Sequence, residues 1–187
     1  RQMCIRDSYH WTPGNAVAQR SERLGLAFDS QVVRAQYQEM IAAYEEAGVN
    51  VYQIPAEAGL PYQVYARDSS VMTPWGAIIM QMEKPYRRGE YAAVLRFYLE
   101  HGIPIYDIVS AGNVEGGDFM VLKPGVAICG YSGERSIEPA VKQLKNWFEA
   151  EGWEFMTYAF DPHFLHLDVQ MGICLLYTSD AADEVVR

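Results

Sequence analysis

The sequence predicts a mixed α/β fold, and three observations carry that expectation. Helix-spaced apolar stripes alternate with short runs of branched and aromatic residues, each helix stops at a glycine, and those glycines recur about every fifty residues. The first helix is expected over 29–47, with Asp29 or Ser30 as its cap and Val33, Tyr37, Met40, Ile41 and Tyr44 as its stripe. The second is expected over 89–101, with Tyr91, Val94, Leu95 and Tyr98 on one face, and the third over 136–151, with Ile137, Val141, Leu144 and Phe148. Their stops are Gly48, Gly102 and Gly152, spaced 54 and 50 residues apart. Glycine suits the left-handed conformation that ends helices.

A strand is expected after each stop, over 49–54, 103–109 and 153–158, with further extended segments over 63–66, 77–81, 118–122 and 126–129. Each unit therefore reads as helix, strand, loop and two strands, and such a period signals repeated supersecondary units. An ordinary α+β domain with evenly spaced helices satisfies the spacing equally well. The position of the polar residues separates the two. Asp68, Glu115 and His166 follow the three glycines by 20, 13 and 14 residues, so three ionisable groups emerge at comparable points of three similar units. Units arranged about an axis would make them converge, as an active site requires.

Composition narrows the function classes. The 187 residues carry 15 Lys and Arg against 24 Asp and Glu, a formal charge of −9, which disfavours a partner held by phosphate contacts. No apolar run approaches the roughly 20 residues that cross a membrane. Three scattered cysteines, Cys4, Cys129 and Cys174, make no disulfide framework and point to a reducing, cytoplasmic setting. The two ends, 1–8 and 174–187, look like translated sequencing adaptor, leaving 9–173 as the expected native segment with a charge of −8.

Three motifs carry the chemistry. Arg67-Asp68 interrupts a strand-like stretch, where the carboxylate could grip a planar cation or close a turn. Glu115-Gly-Gly-Asp118 lets backbone approach closely beside a carboxylate; it matches neither a dinucleotide fingerprint nor a phosphate loop. In His166-Leu-Asp168, an extended chain would put imidazole and carboxylate on one face, a pairing suited to proton transfer. A metal set of His163, His166 and Asp168 is disfavoured, because residues three apart on a strand face opposite ways.

In this order, Arg67-Asp68, Glu115-Gly-Gly-Asp118 and His166-Leu-Asp168 resemble the guanidino-group modifying (pentein) superfamily, closest to dimethylarginine dimethylaminohydrolases and arginine deiminases. Arg87-Arg88-Gly-Glu90 and the stretch 130–136 also fit. The resemblance implies an α/β-propeller of five ββαβ units about a pseudo-fivefold axis, of which about three would be present in the partial catalytic domain 9–173. It implies hydrolysis of the guanidino group of arginine or N-methylated arginine through a cysteine thiolate, giving citrulline plus an amine or ammonia, with no cofactor and no metal. His166 would be the general acid/base and Glu115 would hold it or the guanidinium. Asp68 and Asp168 would bind the guanidinium, and Arg87 and Arg135 a substrate carboxylate. The family's nucleophilic cysteine lies far beyond the His-x-Asp motif, so it is expected to be absent here and the polypeptide alone inactive. Tyr62 stands where relatives carry an Asp or Asn that touches substrate, which leaves substrate identity open. An amidinotransferase and a non-catalytic guanidinium-binding module are the competing readings; a homodimer is compatible with each. A propeller lacking units would expose an apolar flank and tend to aggregate.

Overall fold

A computed structural model describes residue 13, residues 16–26 and residues 29–173. The adaptor-like ends, Cys4 and Cys174 lie outside the described residues. Among the described residues, five α-helices and six strands follow in the order α1 (Ala16–Arg23), α2 (Ser30–Glu46), β1 (Ser70–Thr73), β2 (Gly76–Ile79), α3 (Glu90–Glu100), β3 (Ile105–Ile108), β4 (Phe119–Lys123), β5 (Val126–Tyr131), α4 (Glu138–Ala150), β6 (Glu154–Ala159) and α5 (Leu167–Gln170).

The strands form two three-stranded sheets, β1-β2-β3 and β4-β5-β6. In each, the first pair is a tight antiparallel hairpin and the third strand returns parallel to the second after a helix. The connectivity ββαβ thus occurs twice. Short 3₁₀ turns, Ala66–Asp68 and Gly116–Asp118, lead into β1 and β4 at matching places. An antiparallel bridge between Gln81 and Val114 joins the end of one unit to the entry of the next.

The core lies between the sheets and under α4. Ala140, Val141, Leu144 and Phe148 bury one face of that helix against Ala127, Cys129 and Phe155, while Val71, Ile78 and Met80 reach in from the first sheet. Side chains of this size contribute roughly 1.5–3 kcal/mol each on full burial. Rings fill the end of this core: Phe148 meets Trp75, Phe119, Trp153 and Phe155 at centroid distances of 5.1–5.6 Å.

The three expected helices form within two residues of their expected ends, and Asp29 caps α2 by accepting from Gln31 N and Val32 N. Gly48, Gly102 and Gly152 take φ of 78°, 66° and 77°, as a left-handed stop requires. Two expectations fail. Residues 49–54 form no strand, because no described strand lies alongside to pair with them, and Tyr52 packs instead on Phe97 and His101. Residues 63–66 lie in turns, and the hairpin strand is β1, which starts four residues later. Of the α2 stripe only Ile41 is buried, while Val33, Met40 and Tyr44 stay exposed.

Candidate functional site

Seven charged or titratable side chains are buried together where the two units meet: Asp68, Arg87, Glu90, Glu115, Asp118, Arg135 and His166. Burying an ion is costly unless partners surround it, so such a cluster must be densely paired. It is. Arg87 donates from Nε and Nη2 to the two oxygens of Glu90, each at 2.9 Å, and from Nη1 to Asp68 Oδ2 at 3.0 Å and Glu115 Oε2 at 3.5 Å. Arg135 Nη1 reaches the same Glu115 oxygen at 3.5 Å, and Glu83 N donates to Glu115 Oε1 at 3.2 Å.

His166 closes the cluster from the other side. Its Nε2 lies 3.4 Å from Glu115 Oε2 and 4.0 Å from Asp68 Oδ1, and its Nδ1 lies 3.3 Å from Asp118 Oδ2. Burial would lower the imidazole pKa, but the Asp118 and Glu115 hydrogen bonds and the charges of Asp118 and Asp68 outweigh it, and it is pushed up to about 10. Burial would raise the Glu115 carboxyl, yet His166, Arg135 and Arg87 hold it below its ordinary value. His166 is therefore an imidazolium at neutral pH.

The local backbone makes this approach feasible. A Cβ on Gly116 would sit 2.0 Å from the Arg67 carbonyl oxygen, and one on Gly117 would sit 2.8 Å from His166 Cγ. Only glycine lets the Gly116–Asp118 turn pass between Asp68 and the imidazole. The two turn-ending aspartates also share a contact: Asp68 Oδ1 accepts from Gly117 N at 3.1 Å and Asp118 Oδ1 from Leu167 N at 2.8 Å, each across 49 residues.

The expected residues divide into three groups. Asp68, Glu115 and His166 come together, with ligand atoms within 4.8 Å of one another. That spacing would suit a metal ion, which would have to displace the imidazole proton held by Asp118 and Glu115. His163, by contrast, is exposed and falls outside this group. Arg87 and Arg135 are drawn in as well. All three Arg87 nitrogens are committed to the chain's own carboxylates in the substrate-free protein, so the donors expected for a substrate carboxylate are already in use. Arg135 Nε is buried with no hydrogen-bond partner.

Asp168 is the exception. The chain is extended only at His166 and then turns into α5, because Leu167 seats in an apolar cluster with Met120 and Ile128 while Asp118 takes its N–H. The carboxylates around the imidazole are Asp68, Glu115 and Asp118, and Asp168 pairs with the exposed Arg67 at 3.3 Å. Both line a groove of about 740 Å³ beside the cluster, together with Ser70, Tyr98 and Phe119. Cys129, the free cysteine among the described residues, is fully buried, and burial pushes its thiol well up. Glu90, Asp118 and Ser136 carry contacts that the motifs did not assign to them. The i,i+3 spacing of Arg87 and Glu90 was the available signal for the first; nothing local marks the other two.

A family model described as arginine deiminase matches residues 17–171. YkgA of Bacillus subtilis (strain 168), an uncharacterized protein, is 28% identical over 161 residues, covering 81% of this chain and 54% of its own. An uncharacterized protein of Aeropyrum pernix is 29% identical over 128 residues, 67% of this chain and 47% of its own. Among solved structures, dimethylarginine dimethylaminohydrolase from Pseudomonas aeruginosa, a cysteine-to-serine mutant complexed with citrulline, superposes with a TM-score of 0.63 at 22% identity, over 71% of this chain and 52% of that one. The substrate-bound N-terminal domain of ArgZ, a cyanobacterial arginine dihydrolase, gives 0.59 at 17% identity, over 68% and 46%. The chain spans about half the length of the relatives it matches.

Proposed function

Because the chain belongs to the arginine deiminase family, we propose that it supplies the guanidinium-binding and proton-transfer part of a hydrolase. That enzyme would cleave a C–N bond of arginine or an N-methylated arginine. One observation carries the reading: the buried cluster is short of positive charge. Four carboxylates, Asp68, Glu90, Glu115 and Asp118, face two guanidiniums and one imidazolium, so a single added cation would balance them. A guanidinium offers five planar donors that match paired carboxylates, and Asp68 and Glu115 flank the place where it would sit. Arg135 Nε is the donor left for a carboxylate at the other end of the substrate.

The chemistry follows from where His166 stands. A thiolate attacks the guanidinium carbon, a C–S bond forms, and the C–N bond breaks as His166 Nε2 gives its proton to the leaving amine. His166, now neutral, takes a proton from water; the hydroxide adds to the carbon, the C–S bond breaks and a ureido product leaves. Cys129 is unfit as that nucleophile, being buried with its thiol held protonated. The thiolate is therefore assigned to a cysteine outside the described residues.

The proposal extends to architecture and setting. The two ββαβ units, stitched by equivalent aspartates 49 residues ahead, would be neighbours in a five-unit α/β propeller. The few cysteines favour the cytoplasm, and no helix among the described residues is long and apolar enough to cross a membrane. The test is citrulline release from arginine and dimethylarginine by a chain extended to the length of its relatives. His166→Ala should abolish release, and Asp68→Asn should reduce it at least about a hundredfold. Undiminished release from either variant would overturn the reading.

A further inference from the structure

Asp118 does more than end a turn. Its Oδ2 accepts from Ser136 Oγ and faces His166 Nδ1 at 3.3 Å, while its Oδ1 accepts from Leu167 N at 2.8 Å. One fully buried carboxylate therefore holds both the imidazole and the backbone of the residue that follows it. Asp68 occupies the matching place in the first unit and makes the matching backbone contact, but its second oxygen takes Arg87. The same stitch thus carries a guanidinium in one unit and the imidazole in the next.

We propose that Asp118 is the positioning residue for His166, accepting the Nδ1 proton so that Nε2 faces Glu115, Asp68 and the bound guanidinium. The reading deepens the function proposed above and rests on it for the role of Nε2. Three features support it. Asp118 Oδ2 holds Nδ1 at 3.3 Å, which leaves Nε2 to Glu115 Oε2 at 3.4 Å. Ser136 Oγ donates to Asp118 and also accepts from Glu115 N at 3.1 Å, which ties the carboxylate behind the ring to the one in front. Gly117 keeps the path between them open, since any Cβ there would strike the ring. A carboxylate on one imidazole nitrogen fixes the tautomer and raises the basicity of the ring.

The groups facing the imidazole are Asp68 from the turn before β1 and Glu115 and Asp118 around the turn before β4, with Arg87 and Arg135 behind Glu115. The test follows the His166 ring by nitrogen and proton NMR in the 187-residue chain from pH 6 to 11. The expected result is an imidazolium at neutral pH that, on deprotonation, keeps its proton on Nδ1. Asp118→Asn should lower the His166 pKa by about one unit or more, a tenfold or greater loss of proton affinity. A neutral ring carrying its proton on Nε2, or an unchanged titration in a folded Asp118→Asn, would overturn the proposal. If that variant fails to fold, the tautomer of the unsubstituted chain decides alone. None of these readouts needs turnover, so a failure of the hydrolase reading would show separately, in citrulline release.

Discussion

The two ββαβ units have one connectivity and two different interiors. In the second, α4 buries four apolar residues and β5 pairs with β6 over six consecutive positions. In the first, β2 pairs with β3 at three positions with an irregular register, and the deepest residue of α3 is Glu90. Both units feed the charged cluster, Asp68, Arg87 and Glu90 from the first and Glu115, Asp118, Arg135 and His166 from the second; what differs is the helix, for α4 lines its inner face with apolar residues where α3 places Glu90. Two copies of one connectivity can thus differ in what their helices bury, an apolar face in one and a paired carboxylate in the other.

Substitutions on either side of this contrast should sharpen it. The largest effect is expected at Phe148 in the second unit, where Phe148→Ala removes a fully buried ring touching four others. Chemical denaturation should show a loss of about 3–5 kcal/mol. In the first unit, Arg87→Met should cost about 3 kcal/mol by stranding Glu90 and Asp68. Replacing Arg87 and Glu90 together with methionines should recover most of that stability. A double variant no better than the single one would mean that the pair is not a self-contained buried ion pair.

The charged cluster should also make stability depend on pH. The His166 pKa is raised from 6.5 to about 10, so its contribution is complete below about pH 6.5 and is lost as pH rises through 10. Glu115 works in the opposite sense: its pKa is depressed, so its contribution is present above 4.5 and fades as pH falls further. Between pH 6.5 and 10 denaturation should report a progressive loss of stability, smaller in Asp118→Asn. The smallest effect belongs to the exposed Arg67–Asp168 pair, where Arg67→Ala should cost less than about 1 kcal/mol, and less still in high salt.

What was legible in the sequence follows the range of the forces involved. Helices α2, α3 and α4 announce themselves through stripes and glycine stops, which are local. The strand expected over 49–54 fails because a strand needs a partner, and no window of sequence shows one. Asp68, Glu115 and His166 were singled out by their spacing from three glycine stops, and the structure brings them together, although it is Asp118 that matches Asp68 in the second unit. The extended 166–168 segment expected to set Asp168 beside the imidazole does not form, because Leu167 packs with Met120 and Ile128 and the chain turns into α5. Asp118 stands in a recognised motif but takes no role from it, because its partners Ser136 and His166 lie 18 and 48 residues away.

The claim that joins all of this is that the cluster is built to take one more cation. Titrating arginine and citrulline, which differ in charge but little in shape, into the 187-residue chain tests it most directly, with the His166 ring resonances as the reporter. Arginine should bind at least about tenfold more tightly than citrulline, as a charge-assisted contact requires, and Asp68→Asn should erase the difference. Equal responses to the two ligands, or an arginine preference that survives Asp68→Asn, would contradict it.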